Sequence, residues 1–216
     1  DETLDANQRA NSAEVKRLIS LANENPDAVF SVSVGNEASE EWTDHMVPVD
    51  NQIGYVREVK RAIRQPVTFC ENYVPRTYKL EPLAEVLDYI AVHTYPAWEY
   101  RSIHDALEYT KQNYHSVVDH YPDKPVVITE AGWTTAANGR GIDPHNASEE
   151  LQASYYEQLL EWTNDEEILT FVFEAFDEPW KGSPDPLEPE KHWGLFRLDR
   201  TPKLVMQDLY AELLTA

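Results

Sequence analysis

Two glutamates give this chain its first chemical signal. Glu37 closes Val34-Gly35-Asn36-Glu37, and Glu130 sits in Ile128-Thr129-Glu130-Ala131-Gly132-Trp133, each at the end of an apolar, β-branched run. Phe30-Ser31-Val32-Ser33-Val34 alternates as a half-buried strand does, and Pro125-Val126-Val127-Ile128-Thr129 is a short continuous apolar strand. A carboxylate at such an edge adds little to packing, and a single one reads as a solvated loop charge. A pair at the ends of two strands meets the requirement of retaining glycoside hydrolysis: one carboxylic acid protonates the leaving oxygen and a second carboxylate attacks the anomeric carbon.

The elements that must hold this pair alternate along the chain. Ser12 reads as the N-cap of a helix carrying Val15, Leu18, Ile19 and Ala22, which stops at Asn25-Pro26-Asp27. A strand over 29–34 follows, then a helix through Ile53, Val56, Val59 and Ile63 and a strand over 67–70. A short helix over 83–87 leads into a strand over 89–93, and Ser102 heads a helix through Ile103, Ala106, Leu107, Tyr114, Val117 and Val118. The strand over 126–129, a helix from Ser148 with Leu151, Tyr155, Leu159 and Trp162 inward, a strand over 169–173 and a closing helix over 205–214 complete the series.

Five strands, each followed by a helix, imply parallel pairing with right-handed crossovers. Seven glycines leave little material for a phosphate-binding loop, and none follows a strand. Polar groups instead gather at the C-terminal strand ends, as Asn36-Glu37, Glu71-Asn72, His93-Thr94-Tyr95, Glu130 and Glu174. That is where (β/α)8 barrels keep their chemistry, so a barrel-type α/β fold is expected, with the Pro- and acid-rich segment 182–191 as a loop over the same face.

At 216 residues with 42% hydrophobic content the chain reads as one catalytic domain over 1–216. A net charge of −21 repels nucleic acid and anionic membranes, and it suits a neutral polysaccharide. No apolar run is long enough for membrane insertion, and the opening Asp1 neither shows nor excludes a leader. Six Trp and twelve Tyr serve either a large core or flat surfaces that stack on sugars. Trp98, Tyr100, Trp180 and Trp193 fall in loops after strands and read as platforms, with Trp42 beside Glu37, whereas Trp162 lies on a core-facing helix stripe. The lone Cys70 reads as a small buried residue. His93 is either a hydroxyl binder or a satisfied buried histidine, and His192 a wall residue. The remaining histidines lack metal-ligand spacing, so neither a metal nor an organic cofactor is expected.

The strings Val-Gly-Asn-Glu (34–37), His-Thr-Tyr-Pro (93–96), Ile-Thr-Glu-Ala-Gly-Trp (128–133), Phe-Glu-Ala-Phe-Asp-Glu-Pro-Trp-Lys (173–181) and Glu-Lys-His-Trp-Gly-Leu-Phe (190–196) together resemble glycoside hydrolase family 17. These are the β-1,3-glucanases and glucanosyltransferases among the (β/α)8 retaining glycosidases; the likeness spans essentially the whole chain and leans toward bacterial members. It implies that Glu37, on the fourth barrel strand, is the general acid/base and that Glu130, on the seventh, is the nucleophile. It further implies that Asn36 meets the sugar 2-hydroxyl, that Glu178, Lys181 and Glu190 form a charged cluster around the pair, and that Tyr95 and Trp133 line the cleft.

The implied activity is endo-acting hydrolysis of laminarin-type β-1,3-glucan by double displacement. A glucanosyltransferase and a glucan-binding protein without turnover are the alternatives. The substrate class places the protein outside the cell or in a periplasm. Chemistry adds two requirements. Glu130 must stay ionised, for which Lys181 is the candidate cation, and Glu37 must begin protonated, aided by negative charge from Glu130, Glu178 and Glu190. In register with the family, the first strand here is the fourth of the barrel. Residues 1–25 then read as the loop and helix after the third, and the chain supplies strands four to eight as one parallel arc. The first three strands are expected upstream or on another chain.

Overall fold

A computed structural model describes residues 5–39 and 45–212. In chain order the elements are α1 (Asp5–Glu24), β1 (Val32–Asn36), α2 (Val49–Ala62), β2 (Val67–Cys70), α3 (Tyr73–Arg76), α4 (Glu81–Ala84) and β3 (Ile90–Thr94). They continue with α5 (Ile103–His120), β4 (Val126–Ala131), α6 (Glu149–Asp165), β5 (Thr170–Val172) and α7 (Leu204–Leu209), and 3-10 turns cover Pro144–Asn146 and Pro189–Lys191. The expected α/β order is present, with strands paired in parallel.

The strands form two sheets, one of β1 and β2 and one of β3, β4 and β5 in that order, where a single arc was expected. β2 leaves the ladder early because Asn72 has two duties. It makes an isolated parallel bridge to His93, and its side chain caps α3 by accepting from the Val74 N–H at 2.9 Å. β1 starts at Val32, later than the alternation suggested: the Val29 N–H still donates back to the Asn25 carbonyl at 2.9 Å, and the Val32 N–H reaches across to that of Pro66 at 3.0 Å. Phe30, ahead of it, is 81% exposed. Ser12 lies inside α1 and does not begin it, whereas Ser148 caps α6 as expected, accepting from the Leu151 N–H. α7 ends at Leu209; the expected end at Leu214 lies outside the described residues.

Two compact units make up the chain. The first comprises Asp1–His93 with Tyr114–Val127, the second Thr94–Asn113 with Ile128–Ala216. In the first, Val56, Val59, Val67, Leu83, Ile90 and Val92 are buried on α2, α4 and the strands. Arg76 is wholly buried among them, donating from Nε to the Ala91 carbonyl and from Nη2 to that of Phe69. Burial brings its guanidinium down to about 10, against the pull of Glu71. In β1, a side chain at Gly35 would collide with the Phe69 ring, so the residue two before Glu37 has to be glycine for the strand to lie this close.

In the second unit, Trp133, Tyr155, Tyr156, Leu159 and Trp193 form the core. Gln152 of α6 donates to the carbonyls of Trp133, Trp193 and Gly194, tying the segments after β4 and β5 to one side chain. The buried Lys203 ammonium does the same ahead of α7, donating to Asp177 Oδ1 at 2.7 Å, Thr135 Oγ1 at 2.8 Å and the His192 carbonyl at 3.1 Å. Replacing Lys203 with Met takes the cation from the Asp177 carboxylate, which is 16% exposed, and leaves it the Gly194 N–H at 3.1 Å. The variant should lose about 3 kcal/mol of stability, read from the urea midpoint at unchanged slope.

Candidate active site

Glu37 follows directly on β1 with φ +48°, in the left-handed region that residues with a side chain rarely enter. Its N–H is held by the Cys70 carbonyl at 3.0 Å, and the turn beyond it is held by Glu71. The Glu71 carboxylate is completely buried and accepts from the N–H groups of Ser39 at 2.8 Å and Asn72 at 3.0 Å. Burial pushes Glu71 up from the usual carboxylate range, opposed by those donors and by Arg76. Asn36 is exposed at the strand end.

The Glu37 carboxylate meets His93, whose Nδ1 lies 2.9 Å from Oε1. His93 is fully buried on β3, its N–H donating to the Glu71 carbonyl. Of the two readings open for this histidine, the buried one holds, and its partner is the glutamate itself. The bond serves either proton arrangement: imidazole N–H to carboxylate, or carboxylic acid to imidazole nitrogen. It is therefore suited to a group that gives up a proton and later takes one back.

Glu130, in the last turn of the pleat of β4, accepts a 2.5 Å hydrogen bond at Oε2 from the Tyr95 hydroxyl. The Tyr95 ring stands edge-on to Phe173 (centroids 5.8 Å apart) and to Trp193 (5.1 Å). Gly132 allows this packing, since a Cβ there would lie 2.3 Å from the Phe173 carbonyl oxygen. Trp133 corrects its assignment as a cleft aromatic. It is fully buried, its Nε1 donating to the Asn146 carbonyl and its ring packed on Tyr155, so no face is open to a sugar. Trp193 is likewise buried, with Trp98 tilted against it, so it too is core and no platform. Trp180 (67% exposed) and Tyr100 (79%) do present open rings. Trp162 is core as expected, Cys70 is half-buried, and Trp42 lies outside the described residues.

Lys181 also needs correction. It was expected to be the cation that keeps Glu130 ionised, but its Nζ lies 2.6 Å from Glu178 Oε2 and 3.1 Å from Glu174 Oε2, with the Phe173 centroid 4.6 Å away. The Tyr95 hydroxyl is a donor to Glu130. Glu190 stands half-buried on the 3-10 turn Pro189–Lys191, with the Gly182 backbone packed against it. Sequence reasoning therefore missed two participants, His93 as partner of Glu37 and Glu174 as partner of Lys181. The signal present in the sequence was their position, since each is polar at the C-terminal end of a strand.

Burial pushes Glu174 up to about 7, only partly countered by Lys181, while Glu178 adds to the rise. The folded state thus keeps a proton that the unfolded chain releases from 4.5 upward, and stability from this group is lost as pH rises from about 4.5 through 7. Glu174→Gln should flatten the stability curve in that window relative to the unsubstituted protein, as read from urea unfolding at pH 5, 6, 7 and 8.

Residues 3–194 match the family model described as the BtgE/BtgC glycoside hydrolase domain. A glucan 1,3-beta-glucosidase of Arthroderma benhamiae is 29% identical over 130 residues, which cover 53% of this chain and 41% of that protein. An endo-laminarinase from Formosa has a similar structure, with a TM-score of 0.85 at 27% identity over 94% of this chain and 63% of its own. The glycoside hydrolase family 17 beta-1,3-glucanosyltransferase from Rhizomucor miehei gives 0.72 at 25% identity, over 88% of this chain and 70% of its own. The chain spans 41% of the first curated relative it matches and 32% of a second, from Aspergillus niger.

Proposed function

The chain belongs to the BtgE/BtgC glycoside hydrolase domain family, within the family-17-like glucanases, and from that premise we propose that it is a retaining endo-β-1,3-glucan hydrolase. Glu37 is its general acid/base and Glu130 its nucleophile. One observation carries the reading. His93 and Tyr95, two residues apart at the end of β3, each engage one of the two strand-end glutamates.

In the first step Glu130 attacks the anomeric carbon while Glu37 passes its proton to the departing glycosidic oxygen, and a glycosyl-enzyme forms. In the second, Glu37 takes a proton from water, whose oxygen displaces Glu130. Tyr95 donates to Glu130 throughout, as an ionised nucleophile requires, and His93 steadies Glu37 in both protonation states. Asn36 reaches the 2-hydroxyl, exposed Trp180 and Tyr100 stack on glucosyl units, and Glu178, Lys181 and Glu190 form a charged rim. Two carboxylates suffice for this chemistry, so neither metal nor organic cofactor takes part.

The five βα units correspond in this reading to strands four to eight of a (β/α)8 barrel, completed by three further strands upstream or on another chain. Leu169 (52% exposed) and Phe171 (54%) at β5 are the apolar residues such a neighbour would cover. The substrate, a polysaccharide found outside cells, makes the protein secreted or periplasmic; among the described residues no helix is long and apolar enough to cross a membrane.

Glu130→Ala should abolish turnover of every β-1,3-glucoside. Glu37→Ala should spare the first step on substrates whose activated leaving group needs no protonation. Like behaviour of the two on such a substrate would remove the division of roles. A crystal structure should place the two carboxyls about 5–5.5 Å apart, the spacing for retention. Products longer than the starting oligosaccharide would assign transfer in place of hydrolysis. Expressed alone, this 216-residue chain should self-associate or lose activity relative to a form carrying the three added strands. A fully active monomer by sedimentation would remove the partial-barrel reading.

A further inference from the structure

Glu174 is a half-buried carboxylate after β5 that the proposed chemistry leaves without a task. It follows directly on Phe173, whose ring packs on Tyr95, and its Oε2 accepts from Lys181. The Lys181 ammonium has three protons and three acceptors: Glu178 at 2.6 Å, Glu174 at 3.1 Å and the Phe173 ring face, with its centroid at 4.6 Å. Phe173 in turn closes a triangle of rings with Tyr95 and Trp193, the latter pair 5.1 Å apart and Phe173 6.2 Å from Trp193. Tyr95 leaves that triangle through one hydroxyl, which donates to Glu130.

We propose that Glu174 is a positioning residue that holds Lys181 on the face of Phe173 and so fixes the ring packing that aims Tyr95 at Glu130. This rests on the reading of Glu130 as the nucleophile. Neither glutamate alone would do it: with only Glu178 the ammonium is tethered at one point on a flexible stem and can leave the ring. With both, it is confined above it. Glu174 Oε1 is buried and has no hydrogen-bond partner among the described residues, so Lys181 is the cation that favours the charged form of this carboxyl.

The groups that face Glu174 are Lys181, Glu178 and Tyr156 of α6, whose hydroxyl donates to the Phe173 carbonyl at 3.0 Å. Tyr156 is raised by burial, so it stays neutral and leaves the charge balance to the other three. With Glu174 ionised the three carry a net −1 and the clamp is closed. With it protonated they are neutral, and Lys181 rests on Glu178 alone. Since the proton leaves Glu174 at about 7, the clamp closes as pH rises through neutrality.

The test compares the unsubstituted chain with Glu174→Gln and Glu174→Asp on an aryl β-1,3-diglucoside whose leaving group needs no protonation. Below pH 6 the Gln variant should match the unsubstituted chain. At pH 8 its kcat should fall roughly tenfold with KM little changed, a smaller loss than the hundredfold from displacing a reacting group by about 1 Å. The Asp variant should recover part of it. An equal loss at both pH values means Glu174 only supports the fold, and no loss at either removes the proposal.

A second readout needs no turnover: 15N NMR of the Lys181 ammonium and 13C NMR of the Glu130 carboxyl. Both should shift together with a midpoint near 7 in the unsubstituted chain and lose that step in Glu174→Gln. A Glu130 signal that ignores Glu174 overturns the proposal. If the coupled step is present but every glucoside survives, the nucleophile reading fails while the clamp stands.

Discussion

A carboxylate withdrawn from water must be met by a donor or a cation, or the fold bears a penalty of several kcal/mol. Four glutamates stand at strand ends in this chain, and the architecture around them follows from how each is met. Glu71, the most buried, takes two backbone N–H groups with Arg76 in support and thereby shapes the turn after Glu37. Glu37 has His93, Glu130 has Tyr95, and Glu174 has Lys181. The first of these solutions is rigid and purely structural. The other three carboxylates are met by side chains, each reaching across from another segment of the chain.

The partners are held as firmly as the carboxylates. His93 lies on a strand that is buried at every position, and Tyr95 is wedged by Phe173 and Trp193. Trp133, packed on Tyr155, and Trp193 spend their surface on the core, where the sequence suggested a binding role. Rings used this way fix an oxygen to within a narrow range, since an edge-on pair resists sliding as well as rotation. The open aromatic surface is left to Trp180 and Tyr100, on segments with no such duty.

Much of this was legible in the sequence, and the reasons differ by element. Buried parallel strands announce themselves as short β-branched runs, so all five strands were placed and their polar ends with them. Boundaries slipped where a hydrogen bond decided them: Val32 starts β1 because of Pro66, and Asn72 ends β2 by turning to cap α3. The family strings located Glu37 and Glu130, but strings say nothing of which side chain reaches which. Lys181 was therefore given to the wrong glutamate, and Trp133 was turned toward the cleft although its indole points at Asn146. Partner choice across loops is tertiary information, and no local pattern carries it.

The left-handed backbone at Glu37 has a consequence for how this sequence persists. A side chain there costs the fold about 1 kcal/mol relative to glycine, which occupies that region without strain. Against that stands the bond to His93, since a glycine at position 37 would take the carboxylate from Nδ1 of a fully buried imidazole. Backbone and side chain thus pull in opposite directions at this one position: a smaller residue relaxes the turn and strands the ring.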